Sequence, residues 1–119
     1  MFVFVLFTPS PPALIPSIDI PILDAAIPKI VNTTDVYDTY TKGVELDVFM
    51  KNPDGSEYVG QVWPGYTVFP DWFAPRTGAW WTEAYANWSA AGVEFDGIWL
   101  DMNEGSSFCD GSWCVLRSS

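Results

Sequence analysis

Residues 97–111 read GIWLDMNEGSSFCDG. The stretch begins as an apolar strand, Gly97 to Leu100, and ends as a loop of small residues. Two carboxylates, Asp101 and Glu104, stand where strand becomes loop. An acid at the end of a hydrophobic strand costs solvation unless it faces a pocket or solvent. In parallel α/β sheets, and in α/β barrels above all, the C-terminal strand ends are where chemistry is placed.

Working back from that strand, Ala79 to Ala91 (AWWTEAYANWSAA) contains no breaker. Trp80, Ala84 and Trp88 repeat at i, i+4 and i+8, and Trp81 and Tyr85 follow one position on. This predicts an amphipathic helix with a wide aromatic face packed into a core. Thr77 is the expected N-cap and Gly92 the expected stop. Earlier still, Ile20 to Ile27 (IPILDAAI) predicts a buried strand ending near Asp24. Residues 33–41 suit a turn or short helix. Val44 to Lys51 (VELDVFMK) alternates, with Val44, Leu46, Val48 and Met50 on one face, and predicts a strand. Asn52 to Gly55 (NPDG) is a turn signal, and Ser56 to Trp63 should return as the second strand of a hairpin. Pro64 to Gly78 reads as loop. Strand, inserted hairpin, helix and strand together predict a βαβ unit of a parallel sheet. Asp24 and Asp101 then share one end of that sheet.

Composition narrows the chemistry. The 119 residues carry 15 acids against five Lys and Arg, a net charge of −10. Such a surface repels phosphate backbones, which argues against nucleic-acid binding. With no histidine, the usual general base near neutral pH and the commonest metal ligand are missing. Any catalysis would have to run on carboxylates. Aromatic residues make up 17% of the chain, seven of them Trp; flat rings of this kind pack cores and also stack on sugars. Asp35, Asp38, Glu45, Asp47, Asp54 and Glu57 read as solvated surface charge.

Cys109 and Cys114 could close a small disulfide loop or remain two thiols; one pair without histidine is a poor zinc site. Asn32-Thr33-Thr34 and Asn87-Trp88-Ser89 are N-glycosylation sequons. With a disulfide they would suit a secreted chain. The N-terminal run MFVFVLF is too short to span a bilayer. It fits either a degenerate secretory signal or an artefact of truncation or gene assignment. Pro9 to Pro21 reads as extended linker. Residues 1–21 are thus set apart from a catalytic-barrel segment, 22–119.

The segment Gly97 to Glu104 (GIWLDMNE) closely resembles the nucleophile signature of glycoside hydrolase family 31, the α-glucosidase family. Val62 to Trp72 (VWPGYTVFPDW), Ala79 to Trp81 (AWW) and Ile22 to Ile27 (ILDAAI) resemble further motifs of that family, in matching order, over about residues 22–114. The following GSSFC is similar to the loop of the secreted eukaryotic branch. The resemblance implies a (β/α)8 barrel. About two core strands, an inserted β-hairpin and one helix of it would lie here, incomplete on their own. It implies retaining hydrolysis of terminal α-linked glucose from α-glucans or malto-oligosaccharides by two carboxylates, with no metal and no organic cofactor.

Carried over, the resemblance makes Asp101 the nucleophile. Trp99 and Met102 become walls of the glucose subsite, Asp24 the acid that binds glucose hydroxyls, and Trp63 a further lining aromatic. Glu104 braces the loop. The family's acid/base Asp lies on a later strand that these residues do not contain. The isolated chain is therefore expected to be inactive, the activity belonging to a parent enzyme. The rival expectation is a small secreted carbohydrate-binding or structural domain. Oligomeric state has no signal in the sequence.

Overall fold

The computed structural model describes residues 18–30, 32 and 34–108, together with the backbone of strand β1, Val3–Phe4. The elements that follow are β2 (Ile22–Asp24), β3 (Ile27–Pro28), α1 (Asp38–Glu45), β4 (Gly60–Val62), β5 (Gly65–Val68), α2 (Thr77–Ala90) and β6 (Trp99–Asp101). They form two three-stranded sheets, ordered β1-β2-β6 and β3-β5-β4.

The first sheet holds the βαβ unit read from the sequence. β2 and β6 run parallel, with Ile22 opposite Trp99, Leu23 opposite Leu100 and Asp24 opposite Asp101. β1 lies antiparallel on the other side of β2. Leu23 is fully buried, while Trp99 and Leu100 are more than half exposed. Among the described residues the strands do not close into a barrel.

The second sheet is the insertion, and here two expectations fail. Residues 44–51 do not form a strand. Val44 and Glu45 complete α1, and Asp47 turns left-handed at φ 56°. Only isolated bridges remain, Phe49 to Pro70 and Lys51 to Glu57, around the expected turn at 52–55. The hairpin partner of β4 is instead β5, inside the stretch read as loop. Trp63 and Pro64 form its two-residue turn, with Gly65 at φ +101°. That angle suits glycine because no Cβ opposes it.

Packing explains why the chain settles this way. Ile27, Val48, Phe49, Val68 and Trp80 form one buried cluster, flanked by Tyr37, Tyr40, Leu46 and Trp81. Ala26, Val62 and Phe69 form a second, flanked by Tyr58. The Trp80 ring meets Phe49 edge-on at 5.4 Å, and its indole N–H donates to the Thr39 carbonyl at 3.0 Å. One side chain therefore ties α2 to both α1 and the insertion. α1 has only eight residues and no side-chain cap, so tertiary contact rather than propensity sustains it. Gly43 is required there: a Cβ at this position would overlap the Phe49 ring.

α2 begins two residues before the expected Ala79. Arg76 is its N-cap, and Thr77 is its first residue rather than the cap. The Thr77 hydroxyl is buried and donates to the Asp71 carbonyl at 2.6 Å. The helix stops as expected at Gly92, φ +96°, whose N–H donates to the Ser89 carbonyl. Glu57 is not simple surface charge, because it pairs with Lys29 and accepts from the Tyr40 hydroxyl at 3.2 Å. That contact fastens the turn at 52–55 to the segment after β3. No helix among the described residues is long and apolar enough to cross a membrane.

Candidate active site

Asp24 and Asp101 are the C-terminal residues of two neighbouring parallel strands and stand opposite each other in register. Adjacent strands lie about 4.8 Å apart, so the two carboxylates crowd one sheet end. Side chains alternate along a strand. Ile22, Asp24, Trp99 and Asp101 therefore share one face, and Leu23 and Leu100 share the other. Leu23 is buried on the one face, and the acids with an aromatic stand on the other.

The electrostatics follow from this placement. Asp24 is half-buried, and its carboxyl titrates above the ordinary 3.8. Burial is the largest cause, followed by the charges of Asp101 and Glu104. Both effects disfavour the ionised form. Asp101 is exposed, and its Oδ1 accepts the Met102 N–H at 2.9 Å. Met102 adopts φ 46°, a left-handed conformation uncommon for a residue with a Cβ.

Past Met102 the loop leans on the insertion. The Trp72 indole N–H donates to the Asn103 carbonyl at 2.7 Å. The Gln61 N–H donates to Ser107 Oγ at 3.0 Å, and the Phe108 N–H donates to the Gln61 carbonyl at 2.8 Å. Gly60 permits this approach, since a Cβ there would lie 2.6 Å from the Phe69 ring and 2.8 Å from Ser107 Oγ. The Phe108 ring then meets Trp63 edge-on at 4.8 Å. Trp63 is thereby joined to the loop that follows Asp101. Glu104 contributes its backbone, with its carbonyl accepting the Ser106 N–H at 2.7 Å, while its side chain is exposed.

The residues singled out from the sequence divide accordingly. Asp24, Asp101 and Trp99 come together on one strand face. Met102 and Glu104 sit in the adjoining loop, and Trp63 touches that loop through Phe108. Asn32 and Asn87 are both exposed. Cys109 and Cys114 lie outside the described residues. Sequence reasoning missed Trp72, Gln61, Ser107 and Phe108. Asp71 marks a turn, its carboxylate accepting the Phe73 N–H at 2.9 Å, but nothing local marks the Trp72 contact itself. No group of three or more His, Cys, Asp and Glu poised to hold a metal occurs among the described residues.

The Glycosyl hydrolases family 31 TIM-barrel domain matches residues 9–118. An alpha-glucosidase of Candida tsukubaensis is 61% identical over 94 residues, which is 78% of this chain and 9% of that protein. An alpha-glucosidase of Aspergillus niger is 56% identical over 95 residues, 78% of this chain and 10% of that protein. Glucoamylase 1 of Candida albicans is 55% identical over 96 residues, with the same two shares. The chain thus spans about a tenth of the length of these relatives. With a family match over most of its residues, and with its paired acids at parallel strand ends, the chain belongs to glycosyl hydrolase family 31.

Proposed function

We propose that this chain carries the nucleophile half of a retaining α-glucosidase site acting on terminal α-linked glucose of malto-oligosaccharides or starch. The observation that carries the reading is the in-register pair Asp24 and Asp101 at the ends of β2 and β6. Relatives named alpha-glucosidase support it.

In this mechanism an Asp101 carboxylate oxygen attacks the anomeric carbon and forms a covalent glycosyl ester. The glycosidic bond breaks, and its oxygen takes a proton from a second carboxylic acid. That acid then deprotonates the water that releases glucose with its configuration retained. We assign the second acid to a later barrel strand, and no residue of this chain to that role. Asp101 suits attack because it is exposed and held by one N–H. Asp24, beside it on the same face, suits the glucose hydroxyls, to which either of its protonation states can hydrogen-bond. Trp99, Met102 and Trp63 offer apolar surface to the sugar ring. Secretion belongs to the same proposal, with the exposed Asn32 and Asn87 as glycan acceptors and Cys109 and Cys114 as a disulfide.

The test is a graft. Residues 22–108 replace the corresponding segment of the Aspergillus niger alpha-glucosidase, and hydrolysis of an aryl α-glucoside is measured. Retained hydrolysis that Asp101→Asn abolishes supports the reading. The 119-residue chain alone should not turn over the substrate. A second reading, a glucan-binding domain without catalysis, draws on the exposed Trp63, Trp72 and Trp99. It requires glucan binding by the 119 residues alone that Asp101→Asn leaves intact.

A further inference from the structure

Strand β1 occupies the edge of β2 that faces away from β6. Its direction sets it apart. β2 and β6 run parallel, as all strands of an α/β barrel do, whereas β1 runs antiparallel to β2. A closed barrel of parallel strands has no place for β1 where it lies.

The backbone register shows what β1 takes up. The Trp99 N–H donates to the Pro21 carbonyl at 2.9 Å, and Ile22 stands opposite Trp99. In a parallel ladder a strand bonds one neighbour through every second residue. Pro21 and Leu23 therefore turn their backbone groups toward β6, and Ile22 turns its N–H and carbonyl to the other edge. On that edge Ile22 faces Phe4, and Leu23 faces Val3. Antiparallel pairing then makes Phe4 and Ile22 the pair that exchanges both hydrogen bonds, with Val3 and Leu23 the non-bonded pair beside it. The Ile22 N–H and carbonyl are also what a further barrel strand would need on this side. One strand at a time can use them.

Two features make β1 displaceable. It has two residues, against about five or six in an ordinary strand. It is also joined to β2 through residues 5–21, with prolines at 9, 11, 12, 16 and 21, and closing so long a connection costs chain entropy. An unpaired edge is a template for association with another chain. A short strand from the same chain covers that template and yields to a longer one.

We propose that the outer edge of β2 is an interaction surface for a parallel barrel strand, and that β1 is a displaceable cap which occludes it. The barrel partner rests on the function proposed above, but the pairing of β1 with β2 does not.

The experiment is residue-resolved amide hydrogen exchange on the full 119-residue chain, wild type and Phe4→Pro. Proline removes one of the two bonds to Ile22, and its ring obstructs the ladder. The Ile22 amide should exchange about tenfold faster in the variant. Two other amides serve as internal controls: Leu23, turned toward β6, and Trp80, which donates to the Arg76 carbonyl at 3.0 Å within α2. Both should keep their wild-type rates. An unchanged Ile22 amide would overturn the proposal, because β1 would not be bonded there. A common rise at Ile22, Leu23 and Trp80 would also overturn it, because β1 would then be part of the whole fold and not a cap.

Occlusion is read in the Aspergillus niger alpha-glucosidase. A graft of residues 1–108 should hydrolyse an aryl α-glucoside about 3- to 10-fold more slowly than the graft of residues 22–108, in proportion to the molecules in which β1 holds the edge. Phe4→Pro should recover that loss. Equal activity of the 1–108 graft with and without Phe4→Pro would contradict the occlusion. Should the 22–108 graft fail to hydrolyse while the Ile22 amide responds as stated, the hydrolase reading falls and the cap on β2 stands.

Discussion

Asp24 and Asp101 stand side by side at the ends of two parallel strands, one half-buried and the other exposed. The asymmetry separates two carboxyl groups that differ little in sequence context. Each follows an apolar strand residue, Leu23 or Leu100, and each is the last residue of its strand. Burial, with the charges of Asp101 and Glu104, raises Asp24, and this has a consequence for stability.

A carboxyl whose folded pKa lies above its unfolded value binds more protons in the native state. Stability then falls as pH rises from the unfolded value through the folded one. For Asp24 the window opens at 3.8 and extends upward. Asp24→Asn should therefore be more stable than wild type at neutral pH, with the difference closing below pH 3.8. Urea unfolding midpoints of both proteins across pH 3 to 7 check this. A difference that grows toward acid would contradict it.

Lys29 also titrates above its ordinary value, but there the fold favours the charged form. Burial lowers its pKa and is the largest single cause, but the hydrogen bond and charge of Glu57 outweigh it, so Lys29 titrates above 10.5. The stabilisation is present below that value and lost as pH rises through the folded pKa. At neutral pH, Glu57→Gln should cost about 1 kcal/mol, as the pair is partly exposed. Chemical denaturation measures it, and a neutral substitution would mean that the turn at 52–55 is held by other contacts.

Gly43→Ala tests the seat of Phe49. A methyl group would overlap that ring. Overpacking of a core costs about 1–3 kcal/mol, against a helix-propensity gain of about 1 kcal/mol. A net loss in urea unfolding is expected. A net gain would show that Phe49 moves aside without cost.

Thr67 lies fully buried in β5, and its hydroxyl has no hydrogen-bond partner among the described residues. Thr67→Val removes the group while keeping the branched shape, and an unpaired buried hydroxyl is unfavourable. The variant should match wild type or exceed it by up to about 1 kcal/mol. Thermal unfolding decides, and a clear loss would reveal a role for that hydroxyl.

The sequence made legible what local periodicity controls. The i, i+4 aromatic spacing located α2, Gly92 marked its end, and the apolar runs ending in acids located β2 and β6. The insertion was misread where tertiary contacts override pattern. Val44, Leu46, Val48 and Met50 alternate as a strand would, yet Val44 ends a helix that the Trp80–Phe49 contact stabilises. Pro64, Gly65 and Pro70 look like loop punctuation around Tyr66 to Phe69. In the fold Trp63 and Pro64 make the hairpin turn and Gly65 opens β5, so the punctuation hid the strand by bounding it closely. At the site, the acids were visible because they interrupt apolar runs. Trp72 was not visible, because a hydrogen bond across 31 residues leaves no local pattern.

The central claim, that Asp101 is the attacking carboxylate, is tested most directly by locating a trapped covalent intermediate. The grafted enzyme is treated with a 5-fluoro-α-glucosyl fluoride, a slow substrate that accumulates the glycosyl ester, and its peptides are mapped by mass spectrometry. A glycosyl adduct on Asp101, lost in Asp101→Asn, is the expected result. An adduct on Asp24 or Glu104, or undiminished hydrolysis by the Asp101→Asn protein, would contradict the account.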